Sequence, residues 1–239
     1  SLNELKGKLS GNQKLKGLIS NVEGQLDTLK AGLEKNSKEL FEETNIEKID
    51  FDKSLFVPLL VQSEGIDKIS PPALVESEKK FVEDLRNYLQ SNESNGNKLK
   101  GAEVYLLRNY PFSGVGFQLK WSAFYPDFIM WVKKNNKQAI VFIDPKGLIY
   151  TKGLDDEKIQ FSKEIKDIQN KLNQNIILES FIISSTKYED LVKGFSNQPS
   201  KNDYIKNNVL FQEDNDYDYI DKLFEKILNV LNDNSATRV

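Results

Sequence analysis

Two runs of β-branched and aromatic residues dominate the hydrophobic pattern: FYPDFIMWV from Phe124 to Val132, and QAIVFIDPKGL from Gln138 to Leu148. The polar break between them, KKNNK over 133–137, makes them two adjacent strands of a hairpin. By the two-residue period of a strand, Asp127, Ile129 and Trp131 share one face of the first, and Phe128, Met130 and Val132 the other. Both faces are apolar, so the pattern predicts a strand covered on both sides. In the second strand Ile140, Phe142, Asp144 and Lys146 fall on one face. Each run thus carries an aspartate where a buried strand calls for an apolar residue.

Helical spacing appears before and after this hairpin. Over 15–33, Leu15, Leu18, Ile19, Val22, Leu26, Leu29 and Leu33 recur at steps of three and four, an amphipathic stripe suited to core packing or to a domain junction. The apolar run over 51–62 contains Pro58, which restricts it to an edge strand or an irregular segment. Ser70-Pro71-Pro72 is the clearest boundary, and it divides an N-terminal appendage or junction, 1–69, from a main domain, 70–239.

Within the main domain the pattern predicts a helix over 74–90 that buries Phe81, Val82, Leu85, Tyr88 and Leu89, and a loop over 91–97. Strands are expected over 103–109 and 114–121, ahead of the hairpin. After it, Gly147 and Gly153 mark a turn, and Asp155-Asp156-Glu157 open a helix with the stripe Phe161, Ile165, Ile168 and Leu172. A strand over 176–184, a short one over 209–211 and a helix over 218–231 complete the series. Neither an internal repeat nor a Walker-type phosphate loop is present.

Composition narrows the chemistry. The chain of 239 residues contains neither cysteine nor histidine. Thiolate nucleophiles, zinc-thiolate sites, serine–histidine triads and histidine bases are therefore excluded. Catalysis must rest on carboxylates, lysine, tyrosine, hydroxyls or a metal. The lack of cysteine fits a reducing compartment, the first residues do not form a signal peptide, and no apolar run is long enough to span a membrane, so the expected location is cytoplasmic. Net charge is −3, but residues 97–175 hold 13 Lys/Arg against 8 Asp/Glu. The stretch with the hairpin is thus basic, as a binder of phosphate backbones requires; the alternative is that these lysines are ordinary solvated faces.

Asp127, Asp144 and Lys146 at the end of one hydrophobic hairpin suit a hard cation, because Mg²⁺ takes oxygen ligands and needs few carboxylates. The lysine adds a fixed positive charge beside a bound anion. The competing reading is an Asp127–Lys146 ion pair joining the strands, with Asp144 as a turn residue. On the helix over 74–90, Glu78 falls on the buried stripe one turn before Phe81 and Val82, either as a site residue or as an acid capping the helix N-terminus.

Pro126-Asp127 followed by Asp144-Pro145-Lys146 on the next strand resembles the PD-(D/E)XK nuclease superfamily. The fuller string is similar to the C-terminal endonuclease domain of type III restriction subunits and of related DEAD/DEAH-type helicases. The resemblance covers residues 70 to the mid-180s. It implies an α/β fold with a restriction-endonuclease-like αβββαβ core around a mixed central sheet, preceded by an N-terminal helical appendage. It implies a Mg²⁺-dependent deoxyribonuclease in which Mn²⁺ can substitute. Asp127, Asp144 and Glu78, with the carbonyl of Pro145, would be its metal ligands, and Lys146 would orient water and stabilise charge on the phosphate. Lys158, on the following helix, would be an auxiliary residue facing the metal; its other reading is a surface lysine lying along the apolar stripe. The resemblance further implies DNA as partner, an upstream helicase/ATPase domain in the same polypeptide and a methyltransferase specificity subunit. A nuclease fold that only binds DNA or protein is the alternative, and a protein-interaction module built on the leucine-striped helix is a third reading.

Overall fold

A computed structural model of the chain describes residues 46–49, 59–62, 74–94, 98–110, 114–172, 175–193, 199–213 and 217–232. The helix predicted over 15–33 and the proline pair at 71–72 lie outside the described residues. Two short strands come first, β1 (Ile46–Ile49) and β2 (Leu59–Gln62). From Leu74 onward the chain belongs to one compact unit.

That unit runs α1 (Glu76–Ser94), β3 (Ala102–Arg108), β4 (Phe117–Gln118), β5 (Ala123–Phe124), β6 (Phe128–Lys134), β7 (Lys137–Lys146) and α2 (Glu157–Gln169). It continues with β8 (Ile176–Ser184), α3 (Tyr188–Val192), α4 (Lys201–Lys206), β9 (Val209–Phe211) and α5 (Asp218–Asn232). Five strands form a mixed sheet in the order β3-β6-β7-β8-β9. The β3/β6 and β6/β7 pairs are antiparallel, and the β7/β8 and β8/β9 pairs are parallel. The fold is α/β.

The hairpin forms where the pattern predicts it. Lys134 pairs with Lys137 around Asn135-Asn136, and Asn135 takes the left-handed conformation (φ 55°) that such a tight turn demands and asparagine tolerates. Both faces of the sheet are covered. Phe128, Met130, Val132, Val141 and Ile143 pack with Phe81, Val82 and Leu85 of α1 and with Leu223, Phe224 and Ile227 of α5. On the opposite face Ile129 and Phe142 pack with Phe161 and Ile165 of α2 and with Phe124 of β5. Each such side chain, fully buried, stabilises the fold by about 1.5–3 kcal/mol relative to exposure. This two-sided burial explains why the hairpin strands read as almost unbroken apolar runs.

Three elements differ from the sequence pattern. Helix α1 continues to Ser94 instead of ending at residue 90, because the Ser91 hydroxyl donates back to the Tyr88 carbonyl (2.8 Å) inside the helix rather than capping a turn. The strand expected over 114–121 shrinks to Phe117–Gln118, which pairs with Ala123–Phe124 and not with the main sheet. Its glycines pack too closely for a regular strand: a Cβ at Gly114 would overlap the Asn109 side chain, and one at Gly116 the Tyr125 ring. Ile168 near the end of α2 and Leu172, three residues beyond it, lie outside the core, 37% and 44% exposed. Here Lys166 and Gln169 face the sheet instead, Lys166 donating to the Leu178 carbonyl (2.6 Å) and Gln169 accepting from the Leu178 N–H (2.8 Å).

Candidate functional site

The register of the hairpin brings the two aspartates together. Phe128 pairs with Ile143, so the next position outward sets Asp127, one residue before β6, opposite Asp144 on β7. Directly opposed residues of an antiparallel pair share a face, here the face covered by α2. Lys146, two residues beyond Asp144, follows on that face. Its ammonium is 3.9 Å from Asp144 Oδ2, so the lysine lies against Asp144 and the Asp127–Lys146 pair considered from sequence is not the arrangement found.

Lys158 comes from α2. Asp156 caps that helix by accepting from the Lys158 N–H (3.0 Å), which fixes the first turn. The Lys158 ammonium then lies 3.6 Å from Asp144 Oδ2 and 5.1 Å from the centroid of the Phe124 ring. The side chain points inward rather than away from the site. Two ammonium groups thus approach Asp144 Oδ2, yet neither reaches hydrogen-bond distance. This oxygen is fully buried and accepts no hydrogen bond from an N–H or hydroxyl, although the Asp127 carboxyl lies within hydrogen-bonding reach of Asp144. A buried carboxylate oxygen left so is costly.

Glu78 reaches the cluster from the other layer. It is 8% exposed in the first turn of α1, accepts from the Val75 N–H (3.2 Å) and pairs with Arg108 (Nη2 to Oε2, 3.0 Å). It therefore caps the helix, as one sequence reading allows, and also lies near enough to Asp144 and Asp127 to repel their charges. Burial, then Asp144, then Glu78 push the Asp127 carboxyl up to about 8. Burial also raises Glu78, against the opposing pull of Arg108. Burial lowers Lys146, with Asp144 acting in the opposite sense.

Pro145 lies in the central strand but beyond the last β6/β7 pair, so this side of β7 is already an edge and the missing N–H breaks no ladder bond. Its carbonyl accepts from Ser77 Oγ (3.2 Å), and Gln212 in turn donates to the Ser77 carbonyl (2.7 Å).

Several contributors escape a reading of the sequence. Arg108 continues the buried face of Val104 and Leu106 on β3, an alternation that could have exposed it. Asn109 donates to the Pro126 and Val115 carbonyls (2.8 and 2.7 Å) and accepts from the Val115 N–H (2.9 Å). Its own N–H donates to the Asp127 carbonyl (2.8 Å), so this one residue clamps the peptide that carries Asp127. Glu157 accepts from the Trp121 N–H (2.9 Å) and the Ser122 hydroxyl, tying the β4–β5 hairpin to α2. Only a tertiary contact gives Asn109 and Glu157 these roles, and nothing in their local sequence signals it.

The donor set fits a hard cation. The groups able to ligate are carboxylate oxygens, and Asp144 Oδ2 accepts no hydrogen bond from an N–H or hydroxyl, while Lys146 and Lys158 share the site with them. Among the described residues no group of three or more acidic side chains is placed so as to hold a metal ion. Two carboxylates with water completing the shell is nevertheless an ordinary arrangement for Mg²⁺. Among the described residues no helix is long and apolar enough to cross a membrane. Comparison with known proteins yields no matching family model, curated protein or solved structure.

Proposed function

We propose that the chain carries a metal-dependent DNA endonuclease of the PD-(D/E)XK kind, the cleavage module of a type III restriction or helicase-coupled enzyme. The observation that carries this reading is the unsatisfied Asp144 Oδ2, opposite Asp127 across one strand pair and flanked by Lys146 and Lys158. The element order α1-β3-β6-β7-α2-β8 supports it, because helix, three strands, helix and strand is the order that the resemblance implies.

In this reading Asp127 and Asp144 hold the cation, and Glu78 is an outer member of the set because Arg108 already engages it. When bound, Mg²⁺ offsets charge on the phosphoryl group and acidifies water. Lys146 supplies a positive charge, partly withdrawn from solvent, beside the scissile phosphate and orients the attacking water. Lys158 faces the second side of Asp144, its ammonium over the Phe124 ring. Asn109 keeps Asp127 at its place in the register. Target choice, the motor domain and the methyltransferase subunit belong to the larger enzyme of which this would be one part.

The Glu78–Arg108 pair favours a second reading, a nuclease fold that binds DNA or protein without cutting, since it withdraws one acid from metal binding. Calorimetric titration with Mn²⁺ separates the two. The nuclease reading predicts one saturable site lost in Asp144→Asn, and the second reading predicts no saturable heat.

A further inference from the structure

Two exposed aromatic side chains lie on segments joined to the elements that carry this site. Trp121 is 77% exposed and Tyr150 is 99% exposed, although tryptophan and tyrosine usually bury most of their surface. Neither sits on a loose loop. The Trp121 N–H is held by Glu157, the residue before Lys158. Tyr150 lies in the turn closed by the Thr151 N–H on the Leu148 carbonyl (3.1 Å). Leu148 is itself buried and bonded through its N–H to Thr186 Oγ1 (3.0 Å). Tyr150 itself follows Lys146, the last residue of β7, by four positions. Both rings are thus presented by anchored backbone, one tied to the first turn of α2 and the other just past the end of β7.

Their neighbours are cationic. The Lys120 ammonium lies 5.0 Å from the centroid of the Trp121 ring. Lys152, two residues beyond Tyr150, is close enough to Glu157 to act on its charge, as is Lys158. Lysines beside exposed rings in the chain suit a polyanion that also offers flat apolar faces. A paired duplex shows its phosphates but keeps its base faces stacked inside. An unpaired strand shows both.

We propose that Lys120, Trp121, Tyr150 and Lys152 form a stacking platform that receives an unpaired DNA strand and leads it to the Asp127–Asp144–Lys146 site. The rings take bases, and the lysines take the phosphates between them. The inference rests on the nucleic-acid reading above and narrows its substrate to DNA with unpaired bases, such as a strand opened by a motor domain or by negative supercoiling.

The test is anisotropy of a fluorescently labelled oligo(dT) 20-mer titrated with the whole chain in EDTA, beside a labelled 20-base-pair duplex. The single strand should bind at least ten-fold more tightly than the duplex, and its affinity should fall as salt rises. Trp121→Ala and Tyr150→Ala should each weaken it about 5- to 100-fold, and Trp121→Phe should keep most of the affinity. Both positions are exposed, so the variants should unfold with the parent's midpoint. Equal binding of duplex and single strand, absence of binding, or parental affinity in both alanine variants would overturn the proposal. Because EDTA excludes metal-dependent cleavage, the two readings fail separately. A chain that cuts DNA while ignoring both rings refutes the platform alone, and one that binds through the rings without cutting refutes the nuclease alone.

Discussion

Arg108, the last residue of β3, donates to Glu78 in the first turn of α1 across 3.0 Å, and both side chains are about nine-tenths buried. The pair joins the sheet to its covering helix at the edge of the acidic cluster. Removing one partner of a buried pair strands the other charge, at a cost of about 3–5 kcal/mol. Arg108→Met should therefore destabilise the protein by about that much in urea denaturation. The double variant Arg108→Met/Glu78→Gln should recover most of the loss, because no buried charge is left alone. Additive losses would show that the two residues act independently.

The Asn109 clamp predicts a backbone effect at a distance. A Cβ at Gly114 would overlap Asn109 Oδ1 and press on the Tyr110 carbonyl. Gly114→Ala must then push Asn109 away from the Pro126 carbonyl, freeing the peptide before Asp127. We expect a loss of about 1–3 kcal/mol, measured by denaturation, and a weaker Mn²⁺ titration. Asn109→Ala should reproduce both effects.

Asp127 makes stability depend on pH in an unusual direction. Its carboxyl is pushed from an ordinary 3.8 up to about 8, first by burial and then by Asp144. Between these values the folded state holds more protons than the unfolded state, so stability falls as pH rises. The contribution is complete below about 4 and gone above about 8. Asp127→Asn has no proton to lose. In EDTA it should match the parent near pH 4 and exceed it at pH 9 by at least ~1.4 kcal/mol, the value of a one-unit shift. An identical pH profile for the two proteins would refute this.

A divalent cation should reverse that penalty, since it compensates the charge that burial disfavours. Mg²⁺ or Mn²⁺ at a hundred times its dissociation constant should stabilise the fold by about 2.7 kcal/mol. Thermal unfolding with and without EDTA reads this without reference to activity. Asp144→Asn should abolish the shift.

Most of the sheet is legible in the sequence because its strands are buried on both sides. Continuous apolar runs with a polar KKNN turn leave little freedom in the register, and that register places Asp127 opposite Asp144. The place of Lys158 at the apolar stripe is legible in the sequence, but its turn toward Asp144 is seen only in the structure. The short helices escape the hydrophobic pattern, although Ser200 and Asp203 form a capping box at the start of α4. Asn109 and Arg108 escape it for another reason. Their partners lie 17 and 30 residues away in sequence, and the alternation of β3 signals only that Arg108 is buried, not what it pairs with.

The central claim is that Asp144 and Lys146 belong to a metal-dependent site that cuts DNA. The most direct measurement is conversion of supercoiled plasmid to nicked or linear forms in Mg²⁺ and in Mn²⁺, by the parent, Asp144→Ala and Lys146→Ala purified side by side. The account predicts cleavage by the parent, abolished in EDTA and reduced at least a hundred-fold in both variants, with thermal unfolding showing that the variants are folded. Cleavage undiminished in Asp144→Ala would contradict it.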